Sequence, residues 1–164
     1  MNKNQLSSFE IFRDLSDDQL SIVEKYLEIQ EYEKDSYIIQ ENTAGNSLYL
    51  LFDGKVRITK KLTMKIVDEN VEEKMLAVLS DKDFPTFGEI GLVGAGKRTA
   101  NVIAVTNCRI YCLSKISFEK ITKEDIYVAY VIMKSIAVIL AKRLEKADND
   151  MLKLATALSL VVTK

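Results

Sequence analysis

Phe87-Gly88-Glu89-Ile90-Gly91-Leu92, followed nine positions after its carboxylate by Arg98-Thr99-Ala100, is the stretch on which the reading of this chain turns. It places an acid and a guanidinium in a short segment of glycine and aliphatic residues. The Arg98 guanidinium can fork onto two oxygens of a delocalised anion. The Glu89 carboxylate can accept the proton of a hydroxyl. Gly88 has no Cβ, so a ring can approach the backbone there. If Gly88 to Gly91 starts a short helix, its first amides point at the same anion. Thr99 adds a hydroxyl beside the arginine. The pattern suits a ligand that carries an anion and a hydroxyl on adjacent edges. Taken alone, Gly-Glu followed later by Arg would be a surface turn with a solvated ion pair of little energetic weight.

Around this stretch the apolar period is that of short strands. Tyr37 to Gln40, Ser47 to Phe52, Lys55 to Lys60, Lys74 to Leu79, Ala100 to Thr106 and Cys108 to Leu113 are β-rich runs. Asp53-Gly54 between two of them is a hairpin turn. Many short strands separated by turns predict a roll closed on itself, with the Phe87 to Ala100 stretch as a helical interruption. Before the strands, Ser16 and Gln19 form a capping box and Leu15 and Leu20 a hydrophobic staple, predicting a helix from about Asp17 to Leu27. After Ser114 the period becomes helical again, with a short helix over Ser117 to Ile121 and a long one from near Asp125 through Leu144.

The cassette resembles that of the cyclic nucleotide-binding domain family, which includes the catabolite activator protein and the regulatory subunits of cyclic-AMP-dependent protein kinase. The family pattern is roughly Phe-Gly-Glu-aliphatic-Ala-Leu, a variable run, then Arg-Ser/Thr/Ala-Ala. This chain matches at Phe87, Gly88, Glu89, Leu92, Arg98, Thr99 and Ala100. Gly45-Asn46-Ser47-Leu48-Tyr49 and Gly54-Lys55-Val56-Arg57-Ile58 are similar to the family's strand and turn signature, so the resemblance runs from about Phe9 to about Leu144. It implies an α+β fold: an antiparallel β-roll of the cupin-like jelly-roll kind, with N-terminal helices over 1–35, the roll over 36–114 and C-terminal helices over 115–164. It also implies a binding site for a cyclic nucleotide built by Phe87, Gly88, Glu89, Ile90, Gly91, Arg98, Thr99 and Ala100. The long helix of the family lies over the nucleobase, and alignment on Ala141 to Leu144 puts its base-contacting positions at about Ala147 and Asp148. A carboxylate at Asp148 can accept from the paired donors of guanine; a solvated helix acid is the alternative there. Cyclic AMP is the first expected ligand and cyclic GMP the second.

Three departures from the family pattern stand out. Asp83-Phe84-Pro85-Thr86 looks like an insertion against the mouth of the site. Gly91 replaces alanine, a mild change if only helix propensity is at stake. Lys97 replaces proline or a small residue and adds a cation beside Arg98.

Composition narrows the function further. The chain has 164 residues, of which 48% are hydrophobic and 29% charged, so one globular domain with its own core is expected. A formal net charge of −1 leaves no basic surplus for wrapping nucleic acid. No apolar run is long enough to span a membrane, and the polar start is not a signal peptide, so a cytoplasmic location is expected. With no histidine and two cysteines, histidine-based metal sites and four-cysteine clusters are excluded. Cys108 and Cys112 lie four residues apart on one strand, roughly 13 Å, too far for an unstrained disulfide. No nucleophile–base pair or metal cluster is evident, so a non-catalytic regulatory module needing no cofactor is expected.

Leu140, Leu144, Ala147, Met151, Leu154, Leu158 and Val161 recur at alternating steps of four and three, the spacing of a coiled-coil seam. Nothing later in the sequence is available to cover them, and homodimerisation through this helix is expected. Only twenty residues follow Leu144, too few for the helix-turn-helix of the family's transcription factors, so no DNA binding by the chain itself is expected. The chain then reads either as a stand-alone sensor or as a fragment of a larger protein. A protein-interaction scaffold with a vestigial pocket is the alternative function.

Overall fold

Ser16 opens the first well-formed helix, α2 (Asp17–Glu24), by the expected capping box. The Gln19 N–H donates to the Ser16 hydroxyl at 3.4 Å and the Ser16 N–H donates to the Gln19 side chain at 3.0 Å. This computed structural model describes residues 3–61, 73–94 and 96–162. A short helix, α1 (Lys3–Leu6), and a 3-10 turn, Glu10–Phe12, precede α2. They deliver Leu6, Phe9, Ile11 and Phe12 fully buried into the core, where each apolar side chain contributes roughly 1.5 to 3 kcal/mol.

Helix α2 ends earlier than its apolar spacing suggested, because the chain turns into a strand the sequence pattern did not reveal. This is β1 (Glu28–Tyr32), paired with β8 from Glu28 opposite Cys112 to Tyr32 opposite Cys108. Seven more strands follow: β2 (Tyr37–Ile39), β3 (Ser47–Asp53), β4 (Lys55–Lys61), β5 (Glu73–Ser80), β6 (Thr86–Phe87), β7 (Asn101–Ala104) and β8 (Cys108–Ser114). All pair antiparallel, in two four-stranded sheets of order β1-β8-β3-β6 and β2-β7-β4-β5. The chain therefore folds as an antiparallel β-roll. Ile38, Ile39, Leu51, Val56, Phe87, Val102 and Ile110 fill the space between the sheets.

The β3–β4 hairpin turns at Gly54, whose φ of +102° favours glycine. Its N–H donates to the Asp81 carboxylate at 3.1 Å, and its carbonyl accepts from the Asp81 N–H at 3.0 Å. The Gly54 N–H, joined by the Ser80 hydroxyl, holds the Asp81 carboxyl below its usual range. Cys108 and Cys112 are buried free thiols, and burial pushes both above the usual thiol value, which makes them poor nucleophiles.

Two helices complete the chain. Helix α4 (Lys115–Glu124) is capped by the Ser114 hydroxyl and is twice the length its short apolar repeat suggested. Helix α5 (Ile126–Val162) runs unbroken for 37 residues, about 55 Å at 1.5 Å per residue. Val128, Val131, Ile132, Ile136 and Ile139 on its first half pack with Phe9, Phe12, Leu48 and Leu113. From Ala141 onward its side chains are exposed through Leu160, so the second half projects beyond the roll.

Candidate functional site

The site is built where β6 gives way to a single helical turn, α3 (Glu89–Val93). Gly88 makes the change of direction, with φ +78° and ψ +14°. A Cβ at Gly88 would lie 2.8 Å from Arg98 Nη1 and 3.1 Å from the Ser47 carbonyl. The glycine thus serves both the backbone turn and the close approach of the arginine.

Arg98 is delivered from the other side by a backbone clasp. Its N–H donates to the Thr43 carbonyl and its carbonyl accepts from the Asn42 N–H, both at 2.8 Å. The side chain is buried, at 8% exposed. Nη1 donates to the carbonyls of Ser47 and Gly88 at 3.0 Å each, and the guanidinium lies over the Tyr49 ring, 5.4 Å from its centroid. Tyr49 in turn stacks on Phe87 with centroids 5.7 Å apart. Fixing Nη1 on two carbonyls holds the plane of the guanidinium.

Gly91 has a larger part than its helix propensity suggested. A Cβ there would fall 2.5 Å from Arg98 Nη1 and 2.8 Å from the Gly45 carbonyl. At Gly45 a Cβ would lie 1.8 Å from Arg98 Nε. The arginine therefore lies in a groove whose walls are glycine.

Glu89 carries the other half of the chemistry. It is 4% exposed; one carboxylate oxygen, Oε1, accepts from Arg143 Nη1 at 2.5 Å, while Oε2 is fully buried without a hydrogen-bond donor. Arg143 also donates through Nη2 to the Thr86 carbonyl at 3.1 Å. Sequence reading missed Arg143: its partner lies 54 positions earlier, and nothing local distinguishes it from the solvated cations around it.

Phe87, Gly88, Glu89, Ile90, Gly91, Arg98, Thr99 and Ala100 are brought together around one cavity of about 110 Å³, joined by Ile39, Ile58, Lys97, Val102 and Arg143. Arg143 is the only α5 residue among them. Asp148 is not brought to this cavity. It lies exposed on α5 more than one turn beyond Arg143, where the helix has already left the roll. The Asp83 to Thr86 segment, which the sequence reads as an insertion against the mouth of the site, supplies no lining residue of the cavity. Phe84, in the left-handed region at φ +45°, turns inward onto Phe9 with centroids 5.3 Å apart. The Pro85 carbonyl accepts from the Leu51 N–H at 3.0 Å. Only the Thr86 carbonyl reaches the mouth, in the grip of Arg143. Among the described residues no cluster of acids, histidines and cysteines could hold a metal ion, and no helix is long and apolar enough to cross a membrane.

A buried arginine and a buried glutamate flanking one cavity in a β-roll define a binding module rather than a catalytic fold. The sequence pattern of the cyclic nucleotide-binding domain matches residues 29–125, more than half of the chain, and the chain belongs to that family. It is 40% identical over 103 residues to cGMP-dependent protein kinase, isozyme 1, of Drosophila melanogaster, an overlap of 63% of this chain and 13% of the relative. The chain thus spans a small part of the curated relatives it matches. Among solved structures, the Thermus thermophilus catabolite activator protein superposes with a TM-score of 0.76 at 24% identity, covering 89% of this chain and 63% of that one. The regulatory domain of Toxoplasma gondii PKA, crystallised with cAMP, superposes with a TM-score of 0.66 at 22% identity, covering 88% and 48%.

Proposed function

We propose that this chain senses a 3′,5′-cyclic nucleotide and answers by moving α5. The observation that carries the reading is the Glu89 carboxylate, buried with one oxygen lacking a donor, in the same cavity as a buried arginine. An unpaired buried acceptor is costly, and a ribose hydroxyl would satisfy it. The cyclic phosphate would lie against the Arg98 guanidinium and the Thr99 hydroxyl, with Phe87, Gly88, Ile90, Gly91 and Ala100 shaping the wall. The names of the curated relatives put cyclic GMP first; the cAMP-bound neighbour keeps cyclic AMP as the competitor.

A cavity of about 110 Å³ is small for such a ligand, since small-molecule sites usually start near roughly 300 Å³. Entry therefore requires Arg143, which spans Glu89 and Thr86 across the mouth, to give way. Because Arg143 belongs to α5, its release from Glu89 and Thr86 removes contacts that hold the helix at the mouth, and a ligand shifts that balance by its differential affinity for the two forms. The projecting half of α5, with Leu144, Met151, Leu154 and Leu158 all exposed, pairs with a second copy of the chain. Two unbridged thiols accord with a cytoplasmic setting.

Calorimetric titration of the full chain with cyclic GMP and cyclic AMP tests the reading. Binding is expected for at least one of them, weakened by roughly 2 to 5 kcal/mol in Arg98→Ala and also weakened in Arg98→Lys, whose point charge has no fork. Failure of both nucleotides to bind the wild type would refute it and leave the interaction scaffold.

A further inference from the structure

Outside the cavity, a run of side-chain hydrogen bonds on the β2-β7-β4-β5 sheet leads to the backbone of Arg98. Thr59 of β4 and Asn101 of β7 stand directly opposite each other and are 6% and 4% exposed. The Thr59 hydroxyl donates to Glu73 Oε2 at 2.6 Å, and the Asn101 side-chain amide donates to Glu73 Oε1 at 3.0 Å. Asn101 Oδ1 accepts from the Glu41 N–H at 2.7 Å, and the Glu41 carboxylate accepts from the Lys61 N–H at 3.0 Å. None of Glu41, Thr59, Glu73 and Asn101 lines the cavity. Buried polar groups in such a run are costly unless each finds its partner.

The register of β4 against β5 decides which side chain joins this run. Ile58 stands opposite Ala77 but Thr59 opposite Met75, a shift of one residue that leaves Leu76 without a partner in the ladder. Beyond the shift, Glu73 shares a face with Thr59 and lies within its diagonal reach. Unshifted, the same face would carry Lys74. The difference matters because a carboxylate only accepts and an ammonium only donates. Glu73 turns the Asn101 amide so that its NH2 faces the carboxylate and its oxygen faces the Glu41 N–H. A lysine there would turn the amide over and set NH2 against N–H.

From Glu41 the chain passes straight to the arginine. Asn42, in the left-handed region at φ +66°, a conformation in which asparagine is enriched, donates its N–H to the Arg98 carbonyl at 2.8 Å. The Thr43 carbonyl accepts from the Arg98 N–H at the same distance. Two residues on stands Gly45, whose missing Cβ leaves room for Arg98 Nε. The 41–45 loop therefore sets both the backbone of Arg98 and one wall of its groove, and Asn101 holds the start of that loop. Resting on the cyclic-nucleotide reading above, we infer that Glu73 is a positioning residue for the arginine of the binding site. Acting through Asn101 and the 41–45 loop, it fixes where Arg98 stands without touching the ligand, so one end of β5 governs affinity from outside the cavity.

The test is calorimetric titration of the full chain with cyclic GMP and cyclic AMP, with thermal melts alongside. Glu73→Ala should weaken binding by about tenfold. Glu73→Gln should hold affinity within about twofold, since its amide oxygen still accepts from Asn101 while its NH2 donates to the Thr59 hydroxyl. Asn101→Ala breaks the run at the next link and should match Glu73→Ala, and it serves in its place if that variant does not fold. Asp81→Asn, just past the other end of β5, should lower Tm and leave affinity unchanged, which separates positioning from a general loss of stability. Wild-type affinity in Glu73→Ala or Asn101→Ala, a glutamine variant no better than the alanine one, or an equal loss in Asp81→Asn would overturn the inference while the cyclic-nucleotide reading stands. If the wild type binds neither nucleotide, that reading fails and the inference falls with it.

Discussion

Gly91→Ala is a small change with a sharp consequence. The added Cβ would fall 2.5 Å from Arg98 Nη1, 3.0 Å from its Cζ and 2.8 Å from the Gly45 carbonyl. The arginine tip can swing away, but the Gly45 carbonyl is backbone, so α3 or the Gly45 loop must also shift. Overpacking of this kind costs about 1 to 3 kcal/mol, and the better helix propensity of alanine returns about 1 kcal/mol. A net loss of about 1 kcal/mol lowers Tm by about 2 to 4 °C in a chain of this length. Binding should suffer more, because Nη1 leaves the Ser47 and Gly88 carbonyls that orient it. A loss of about 1 to 2 kcal/mol there weakens affinity by about five- to thirtyfold. Gly45→Ala, whose Cβ would lie 1.8 Å from Arg98 Nε, should weaken it further. Melting by circular dichroism and calorimetric titration with cyclic GMP read the two effects separately. Wild-type affinity in both variants would show that Arg98 need not occupy its glycine-walled groove, and the account of the site would be wrong.

Other outcomes follow from the same geometry. Leu154→Glu, at an exposed seam position of α5, should weaken self-association at neutral pH, and truncation after Ala147 should give a monomer by analytical ultracentrifugation; a full-length chain that stays monomeric at tens of micromolar would contradict the pairing. Asp81→Asn should destabilise the β3–β4 hairpin in a pH-dependent way. The folded Asp81 carboxyl is held below its ordinary value, so its contribution is present above about pH 4 and is lost as pH falls through the folded value. The wild-type advantage in urea melts should therefore shrink with acidification, and an advantage that grew would refute the role given to the Gly54 N–H.

What the sequence disclosed depended on how far apart the interacting residues stand. The capping box at Ser16 is three residues wide, and the Asp53-Gly54 turn two, so both were legible. The cassette was legible because its donors and acceptors lie within one short segment. Strand β1 was not: Glu28-Ile29-Gln30-Glu31-Tyr32 is charged and largely exposed, and it is a strand because β8, eighty residues later, pairs with it. Arg143 escaped for the same reason, its role being created by Glu89 on a distant element. Gly91 looked mild because propensity is a local quantity, whereas its meaning lies in the guanidinium packed against it.

On the proposed reading, the unbroken length of α5 would convert a small event at the cavity into a large one elsewhere. Nineteen residues separate Arg143 from Val162, about 28 Å of helix. With no proline or glycine between them to absorb a bend, a tilt of about 10° pivoting at Arg143 carries the far end through about 5 Å, roughly the length of one helical turn. On that reading the helix would work as a lever arm with its fulcrum at the mouth of the site, its far end receiving the motion magnified.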